Sequence, residues 1–382
     1  MTVTDAEGST RRVPAEWLLT SVRKIFSSLG LSEPAARSVA TALVDADLRG
    51  VSSHGSMLVP MYVDRIQAGS VSLAESADVL VDRAAIGVLD GRGALGQLTS
   101  DQAMSMAIEK AKRHGIGAVA VRHAFHFGCA SRYAEQAAAA GCIGIAAANT
   151  RPLMPAPGGA RPVVGNNPIA FAAPREDAEP IVLDMALSEA ALGKIRLAES
   201  DGRTIPVTWA TDKDGGPTTD PTAALAGMLL PAAGHKGFGL ALAVDILTGV
   251  LSGGAFGGAV RGLYADVSVP NDCAHFFLAL HPAAFGVEDL PERVSRLARE
   301  VHCSPTAPGT DRVLVPGQPE SERHKKALEQ GVTVQSSVLA GVWRVAEEIG
   351  AELPPLPAEG AGRSATNEPR RTHATADTQE DQ

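Results

Sequence analysis

Short apolar runs typical of strands alternate with longer amphipathic runs typical of helices between residues 79 and 150. The strand-like runs are VLVDRAAIGVLD, GIGAVAVRH and CIGIAAAN, and the helical runs are SDQAMSMAIEKAKRHG and ASRYAEQAAAAG. Strands and helices that alternate in this way pack as a sheet with its faces covered by the helices. The sequence therefore predicts an α/β architecture with a central sheet flanked by helices.

The segments on either side of this layer have a different character. Residues 13–78 are dominated by helical periodicity, which predicts an N-terminal helical segment that contributes to the active site. We expect an α/β region over 79–353, with its last helices, from about 320 to 353, packed back on the N-terminal segment. Residues 1–12 are predicted to be flexible, and the Pro- and Thr-rich residues 354–382 to form a disordered tail.

The composition argues against several classes of function. With a net charge of −9 and 4% aromatic residues, the chain has neither the basic surface nor the stacking side chains of a nucleic-acid-binding protein. No apolar run is long enough to span a bilayer, and the polar N-terminus does not resemble a signal peptide. The four cysteines show no C-x-x-C pairing. We expect a cytoplasmic protein that acts on a small molecule, with no nucleic-acid or membrane partner.

The segment GRGALG, Gly91 to Gly96, has the G-x-G-x-x-G spacing of a dinucleotide-binding loop. That mechanism needs a helix that opens at the glycines and an acidic residue at the tip of the next strand to hold the ribose. Here Thr99 or Ser100 is the better helix cap, and the next strand ends in Arg122 and His123. We interpret the segment as a glycine-rich turn before a helix, so any nicotinamide cofactor is expected to bind elsewhere.

Two histidines are candidates for acid–base catalysis. His126 follows a strand-like run, a position from which α/β proteins present catalytic side chains. A histidine can give a proton to a carbonyl that becomes a hydroxyl and take it back in the reverse reaction. Ser53 and His54 begin a helical pattern that would aim His54 into a cleft. The alternative is structural, with His126 bonded to backbone groups and Ser53 serving as a helix cap.

Two further segments are candidates for ligand contacts. AGHKGFG places His235 and Lys236 in a glycine-rich helix start, where free N–H groups and a cation favour a phosphate or a carboxylate. Close helix packing through small residues is the alternative for these glycines. LDMALSEA places Asp184 at a strand end, where a structural role is the alternative. The sequence contains no H-E-x-x-H and no G-x-S-x-G motif, so neither a metal site nor a serine hydrolase is predicted.

Ten motifs in a fixed order resemble the malate/L-lactate dehydrogenase family of the non-Rossmann type, over roughly residues 15–352. That family includes ureidoglycolate and sulfolactate dehydrogenases, diketogulonate reductase and piperideine-2-carboxylate reductase. The motifs are DLRGVSSHG with YVDRIQAG, LDGRGALGQ, the H-F-G of HAFHFG, ANTRPLMPAPGG, GNNPIAFAAP, VLDMALSEAALGKI, IPVTWATDKDGGPTTDP, GHKGFGLALAVDILTGVLSG and VLVPGQ.

This resemblance implies a family-specific, non-Rossmann α/β fold that binds NAD or NADP, with a mixed central sheet. It also implies a homodimer with the site near the subunit boundary. His126 matches the family's proton donor and acceptor, and His54 with Ser53 matches a second active-site position that is sometimes given the acid role instead. The implied cofactor contacts are Thr150, Asp184, Met185, Ala186, His235, Lys236, Gly317 and Gln318.

The chain departs from the family pattern in the expected substrate pocket, to which we assign Leu58 and Asn149. Family members usually carry an arginine at the position of Leu58, where it would grip a substrate carboxylate bidentately. Residues 123–125, His-Ala-Phe, replace the family's N-S-N, and Leu187 replaces the threonine of D-M-A-T. A pocket more apolar than that of the family is expected, which argues against malate and lactate as substrates.

The function predicted from the sequence is an NAD(P)-dependent oxidoreductase that transfers hydride between nicotinamide and a 2-oxo or 2-hydroxy acid or a related carbonyl compound. One alternative is reduction of a cyclic imine such as piperideine-2-carboxylate, for which a weakly polar pocket is suitable. The other is a non-catalytic homologue that binds the cofactor or a partner. The joint presence of His54, His126 and Lys236 argues against a non-catalytic homologue.

Overall fold

The computed structural model describes residues 9–176 and 178–356, so residues 1–8 of the expected flexible N-terminus and 357–382 of the expected tail lie outside the described residues. The α-helices are α1 (Ala15–Ser28), α2 (Glu33–Leu48), α3 (Val59–Gln67), α4 (Gly96–His114), α5 (Ser131–Ala139), α6 (Leu192–Ser200), α7 (Pro221–Ala226), α8 (His235–Asp245), α9 (Leu290–His302), α10 (Gln318–Gln330) and α11 (Ser336–Glu348). The strands are β1 (Thr10–Val13), β2 (Asp78–Arg83), β3 (Ile86–Asp90), β4 (Ile116–Ala124), β5 (Ile143–Ala148), β6 (Met154–Pro155), β7 (Pro162–Val164), β8 (Ile169–Ala173), β9 (Ile181–Met185), β10 (Ala210–Thr211), β11 (Met228–Leu229), β12 (Cys273–Leu280) and β13 (Val332–Gln335).

A seven-stranded mixed sheet forms the centre of the molecule, in the order β2-β3-β4-β12-β5-β8-β9. Strands β3 and β4 run parallel, and the other neighbours in this order are antiparallel. Helices α4 and α5 pack on the sheet at small residues, which let the backbones approach closely. A Cβ on Gly117 of β4, for example, would lie 1.9 Å from the carbonyl oxygen of Ala107. The predicted α/β architecture with a mixed central sheet is confirmed.

The N-terminal helices α1, α2 and α3 and the C-terminal helix α11 share one apolar core. Phe26, Tyr62 and Val342 are fully buried in it. The indole N–H of Trp17 closes one side by donating to the carbonyl oxygens of Pro354 and Pro355. The C-terminal helices therefore lie against the N-terminal segment. Within the residues that the structure describes, no helix combines the length and the apolar character needed to cross a membrane.

The two ends of the described chain meet in a small sheet. Thr10–Val13 forms β1, although the sequence predicts flexibility through residue 12, and that prediction is wrong for residues 10–12. The strand pairs antiparallel with β13, with Val13 opposite Val332. Local composition carries no signal for this pairing because the partner lies near the other end of the chain. The helical run of the N-terminal segment ends at Gln67, and β2 begins at Asp78.

The GRGALG segment lies between β3 and α4, and the helix begins at its last glycine. No side chain of the described residues caps this helix start. A Cβ on Gly96 would lie 2.0 Å from the carbonyl oxygen of Phe125 and 2.6 Å from that of His126. The predicted start at Thr99 or Ser100 is therefore wrong. Close packing of α4 against the segment that carries His126, rather than a capping side chain, sets where the helix begins.

Strands β3, β4, β5 and β9 end at one edge of the central sheet, where β8 and β12 begin. The register places Ala124 opposite Cys273, Ala148 opposite His275 and Met185 opposite Ile169. We call this edge the site edge. In open α/β sheets, ligands bind at the carboxyl ends of strands, so this edge is where a site is expected.

Candidate active site

His126 and His54 meet at the site edge. His126 follows the end of β4, and His54 ends a 3₁₀ turn, Ser52–His54, that lies between α2 and α3. Their rings stack with centroids 5.4 Å apart and an angle of 28° between the planes. Both side chains are partly buried. The structure thus brings together the two histidines that the sequence singled out.

Two further side chains hold His126 in a hydrogen-bonded chain. The hydroxyl of Tyr62 lies 2.7 Å from His126 Nδ1, and the amide nitrogen of Gln97 donates to that hydroxyl at 3.0 Å. The ring of Phe125 packs edge-on against Tyr62 with centroids 5.1 Å apart. Sequence reasoning missed the roles of Tyr62 and Gln97. Helical spacing places Tyr62 on the face of His54, whereas Gln97 comes 35 residues after Tyr62 and carries no local signal.

The surroundings of His126 favour its neutral form. Burial, followed by the proximity of His54 and His275, lowers the pKa of His126 well below its ordinary value of 6.5. Burial also raises the pKa of the Tyr62 hydroxyl, which therefore keeps its proton. When Nδ1 carries the ring proton and donates it to the Tyr62 oxygen, Nε2 is the unprotonated nitrogen that faces a ligand. The pair can therefore present a neutral, oriented imidazole that accepts a proton.

Ser53 lies within hydrogen-bonding distance of His54, and Asp184 affects the pKa of His54 through its charge. Ser53 Oγ lies 2.9 Å from His54 Nδ1. Burial lowers the pKa of His54, and the nearby Asp184 carboxylate opposes that change. Asp184 also accepts the backbone N–H of Ser131 at 2.8 Å and so stabilises the start of α5. Burial raises the pKa of Asp184, although this hydrogen bond and the charge of His54 act in the opposite direction.

Thr150 follows β5 and is held by the next loop. Its hydroxyl donates to Asn166 Oδ1 at 2.9 Å, and its backbone N–H donates to Asn167 Oδ1 at 2.9 Å. Asn167 is fully buried, and its amide nitrogen donates to the carbonyl oxygen of Ala241 in α8 at 2.8 Å. The asparagine pair therefore ties Thr150 to the start of β8 and to α8.

The side chain of Asn149 is buried and is hydrogen-bonded to three protein groups. Its side chain is 1% exposed. Oδ1 accepts the backbone N–H of Ala274 at 2.7 Å, and Nδ2 donates to Asp245 Oδ1 at 3.0 Å and to the carbonyl oxygen of Ala255 at 2.9 Å. These bonds occupy the amide at the position where the sequence suggests a substrate contact. Asn149 thereby joins β5, β12 and α8.

The side chain of Leu58 is buried. It ends the 3₁₀ turn Ser56–Leu58, is 2% exposed and packs in the N-terminal core. Burial of a leucine side chain stabilises a fold by roughly 1.5–3 kcal/mol. The apolar side chain therefore contributes to the core of the N-terminal segment.

The start of α8 has the features of an anion-binding helix start and also those of close packing through glycine. Lys236 and His235 are exposed in the first turn, which follows the sharply turned Gly234 with φ +64° and ψ −125°. Within the described part of the chain, no side chain caps this helix start, so its first N–H groups can meet an anion. Gly237 instead serves packing, because a Cβ there would lie 2.1 Å from the carbonyl oxygen of Ala232.

Gly317 and Gln318 form the start of α10 beside β9. Gly317 has φ +84°, and a Cβ there would lie 2.8 Å from the Cβ of Val182, so glycine is needed for conformation and for space. The side-chain oxygen of Gln318 lies 2.9 Å from His302 Nε2. Residues 185–186, at the end of β9, are partly buried. No group of three or more acidic, histidine or cysteine side chains among the described residues is arranged to hold a metal ion.

The chain is similar to known dehydrogenases over most of its length. The family model of malate/L-lactate dehydrogenase matches residues 13–342. A malate dehydrogenase from Pyrococcus horikoshii is 37% identical over 350 residues, which cover 89% of this chain and 96% of the relative. The ureidoglycolate dehydrogenase (NAD(+)) of Escherichia coli K12 is 35% identical over 328 residues, which cover 86% of this chain and 93% of the relative.

Solved structures share the fold. The sulfolactate dehydrogenase of Methanocaldococcus jannaschii has a TM-score of 0.85 at 34% identity and covers 90% of this chain and 98% of its own. The Δ1-piperideine-2-carboxylate reductase of Pseudomonas syringae pvar. tomato has a TM-score of 0.79 at 28% identity and covers 88% of this chain and 100% of its own. Because sequence and fold agree over this length, the chain belongs to the malate/L-lactate dehydrogenase family.

Proposed function

We propose that the protein is an NAD(P)-dependent dehydrogenase that interconverts a 2-oxo acid, or a related carbonyl compound, and the corresponding hydroxy compound. The observation that carries the proposal is the 2.7 Å contact between Tyr62 and His126 Nδ1, beside the stacked ring of His54. It supplies an oriented acid–base group at the site edge. Membership in a family of dehydrogenases supports the same class of reaction.

In this proposal His126 exchanges the substrate proton through Nε2. During oxidation, the neutral imidazole takes the proton of the substrate hydroxyl, and its lowered pKa favours that form. During reduction, His126 first takes a proton from solvent and then gives it to the carbonyl oxygen. Tyr62 fixes the ring and keeps its own proton throughout because of its raised pKa.

The residues around α8, β9 and α10 fit a nicotinamide dinucleotide. The exposed Lys236 and the uncapped start of α8 offer a cation and N–H groups to a phosphate. Gly317 lies directly against Val182 of β9 at the start of α10. When bound, the cofactor donates or accepts the hydride. The proposed cofactor contacts are Thr150, Asp184, Met185, Ala186, His235, Lys236, Gly317 and Gln318.

Reduction of a cyclic imine is a second candidate. It is favoured by the similarity to a piperideine-2-carboxylate reductase. A C=N group needs the same hydride and proton as a C=O group, with the proton delivered to nitrogen. The residues that hold His126 therefore suit both reactions, and the substrates distinguish them.

The test is oxidation of NADH and of NADPH by the purified protein, followed by absorbance, with 2-oxo acids, their amides and esters, and cyclic imino acids. The first proposal predicts turnover with a 2-oxo acid or a related carbonyl compound. Turnover with imino acids and not with carbonyl compounds replaces it with the second. Absence of turnover with every substrate class, while a nucleotide binds, contradicts both.

We also propose that the protein is a homodimer. Six large apolar side chains on α8 and the π-helical turn that follows it are each 40–59% exposed, which is unusual for a free surface. A second copy can cover such a face about a two-fold axis, because each copy presents the same patch. The apolar face consists of Leu240, Leu242, Ile246, Leu247, Val250 and Leu251.

A reducing compartment, and so a cytoplasmic location, is also proposed. All four cysteines are free thiols, and two of them, Cys142 and Cys273, are buried. Proteins that work in oxidising compartments tend to pair such cysteines as disulfides. Fractionation of cells that express the chain at its natural level tests this location, and recovery from a secreted or membrane fraction contradicts it.

A further inference from the structure

His54 is carried by two short 3₁₀ turns, Ser52–His54 and Ser56–Leu58, which meet at Gly55. The N–H of Gly55 closes the first turn and that of Leu58 closes the second, each on a backbone carbonyl at 3.0 Å. Neither turn has a capping side chain among the described residues. Hydrogen-bond geometry in 3₁₀ turns is poorer than in α-helices, so the place of His54 depends on contacts from outside the turns.

Asp47, in the last turn of α2, supplies such a contact. It is 9% exposed, and its Oδ2 accepts the backbone N–H of Ser56 at 2.8 Å. A Cβ on Gly55 would lie 2.0 Å from Oδ1 and 2.4 Å from Cγ of the same carboxylate. Gly55 has φ −96°, so glycine is needed there for space rather than for backbone conformation. The carboxylate therefore lies directly against the residue that follows His54 and binds the next one.

The end of α2 that carries Asp47 is itself anchored. Arg49, the residue after the helix, forms an ion pair with Glu135 of α5 at 2.7 Å. Helix α5 packs on β5 and β8 of the central sheet. The contact with Asp47 therefore connects the turn of His54 to the same sheet that carries His126 after β4.

Burial makes the carboxylate of Asp47 unfavourable for the stability of the fold. It raises the pKa of Asp47 from its ordinary value of 3.8 to about 6, and hydrogen bonding from Ser56 acts in the opposite direction. Because this pKa is higher than in the unfolded chain, the ionised form at pH 7 lowers the free energy of unfolding. Stability alone does not account for a carboxylate here, whereas a role in holding the turn at Gly55 and Ser56 does.

We propose that Asp47 is a positioning residue of the active site, which fixes the turn of His54 and so sets the place of its ring against that of His126. The carboxylate acts through the backbone of residues 55–56 and not on the substrate. The stacking that it maintains has centroids 5.4 Å apart and an angle of 28° between the rings. The inference rests on the proposed function for the reaction that the two histidines serve, while the position of the rings can be measured without turnover.

Two substitutions of Asp47 separate the contact from the charge. Asp47→Asn keeps the shape and an oxygen that can accept the N–H of Ser56, whereas Asp47→Ala removes both. Asp47→Ala is expected to lower kcat about tenfold or more with less change in KM, since a small displacement of an active-site group slows a reaction strongly. Asp47→Asn is expected to recover most of kcat and to unfold thermally at or above the wild-type temperature at pH 7.

Asp212→Ala is the matched control. Asp212 also accepts the backbone N–H of a glycine, Gly216, at 2.8 Å, and a Cβ on Gly216 would lie 3.0 Å from its Oδ2. The residue follows β10, in a loop that carries none of the proposed site residues. Loss of this hydrogen bond is therefore expected to leave kcat unchanged.

Histidine ring signals in NMR spectra of the isotope-labelled, full-length protein report on ring positions without any need for turnover. Spectra of His54→Ala and His126→Ala assign the two signals. Because stacked rings shift each other's resonances, both signals are expected to move in Asp47→Ala and to stay near wild type in Asp47→Asn and Asp212→Ala. Gly55→Ala approaches the contact from the other side, since its Cβ would meet Oδ1 of Asp47, and is expected to move the same signals.

Wild-type kcat in Asp47→Ala overturns the proposal, as does a loss of kcat in which the His54 signal does not move. Equal losses in Asp47→Ala and Asp47→Asn also overturn it, because the charge rather than the contact would then matter. Should Asp47→Ala fail to fold, Gly55→Ala decides: moved signals with lowered kcat support the proposal, and wild-type values overturn it. A wild-type chain that turns over no substrate contradicts the proposed function, while moved signals in Asp47→Ala still support the positioning role.

Discussion

His126 is the residue on which proton transfer depends, because Tyr62 holds one ring nitrogen and the other is left for a ligand. We predict that His126→Ala lowers kcat at least about a hundredfold, the usual size of an acid–base contribution. Nucleotide binding, measured by fluorescence, is expected to persist. His114→Ala, at the exposed end of α4, is the matched control. Near-normal turnover of His126→Ala would remove this residue from the mechanism.

Tyr62 acts through His126 as a positioning residue. We predict that Tyr62→Phe lowers kcat about tenfold with little change in KM, since it removes one hydrogen bond that orients the ring. Gln97→Leu is expected to have a smaller effect in the same direction because Gln97 acts on His126 through its hydrogen bond to Tyr62. Tyr133→Phe removes another buried hydroxyl, bonded to the Phe127 carbonyl, and controls for loss of stability. A change in KM alone would contradict the positioning role.

The pKa of His126 gives the two reaction directions opposite pH dependences. Oxidation needs the neutral ring, so kcat/KM is expected to stay level as pH falls to 6.5 and to decline only below it, where the lowered pKa lies. Reduction needs the protonated ring, so its kcat/KM is expected to rise as pH falls from neutral. Initial rates in both directions measure this. An oxidation profile that already falls above pH 6.5 would contradict the lowered pKa.

Individual side chains differ in how far the sequence predicts them. His54 and His126 stand out because their residue type and their positions next to predicted elements suggest chemistry. Gln97 does not, because its role arises from contact with Tyr62, which no local pattern encodes. Asn149 shows the reverse, since a polar residue after a strand suggests a ligand contact, whereas three protein groups occupy its amide.

Among the secondary-structure elements, the start of α4 depends on Gly96 because this residue has no side chain. We predict that Gly96→Ala lowers the free energy of unfolding by about 1–3 kcal/mol, the usual cost of overpacking, because the added Cβ meets the Phe125 carbonyl at 2.0 Å. Denaturant unfolding measures the change. Gly193→Ala in α6 is the matched control, since no atom lies within 4 Å of its added Cβ, and it is expected to be neutral or stabilising. Equal stabilities would contradict this account of the helix start.

Elements that follow local periodicity are the ones that the sequence predicts. The alternation of strands and helices between residues 79 and 150 is of this kind, and β3, α4, β4, α5 and β5 occur there in that order. Strand β1 is different because its four residues gain their structure from β13. The strand order of the central sheet cannot be predicted from local periodicity either. Strand β12 lies between β4 and β5 but comes from far along the chain.

For the whole molecule, the apolar face on α8 and its π-helical turn predicts a homodimer. Replacing Ile246 and Leu251 by Asp is expected to yield a monomer, because burial of the charges in an apolar interface is unfavourable. Light scattering after size-exclusion chromatography measures the mass. Leu297→Asp, on α9, alters an equally exposed leucine outside this face and is expected to leave the dimer intact. A wild-type monomer at micromolar concentration would contradict the proposal.

The pairing of β1 with β13 joins early and late segments of the described chain, so the fold can be completed only late in synthesis. Helix α11 packs on α3, which carries Tyr62, and on the turn Ser56–Leu58, which follows His54. The part of the site that contains His54 and Tyr62 therefore lacks its packing contacts with α11 until residues up to 348 have left the ribosome. Contacts between such distant segments also form slowly. A nascent chain is expected to carry its central sheet early and to gain catalytic competence as one of its last events.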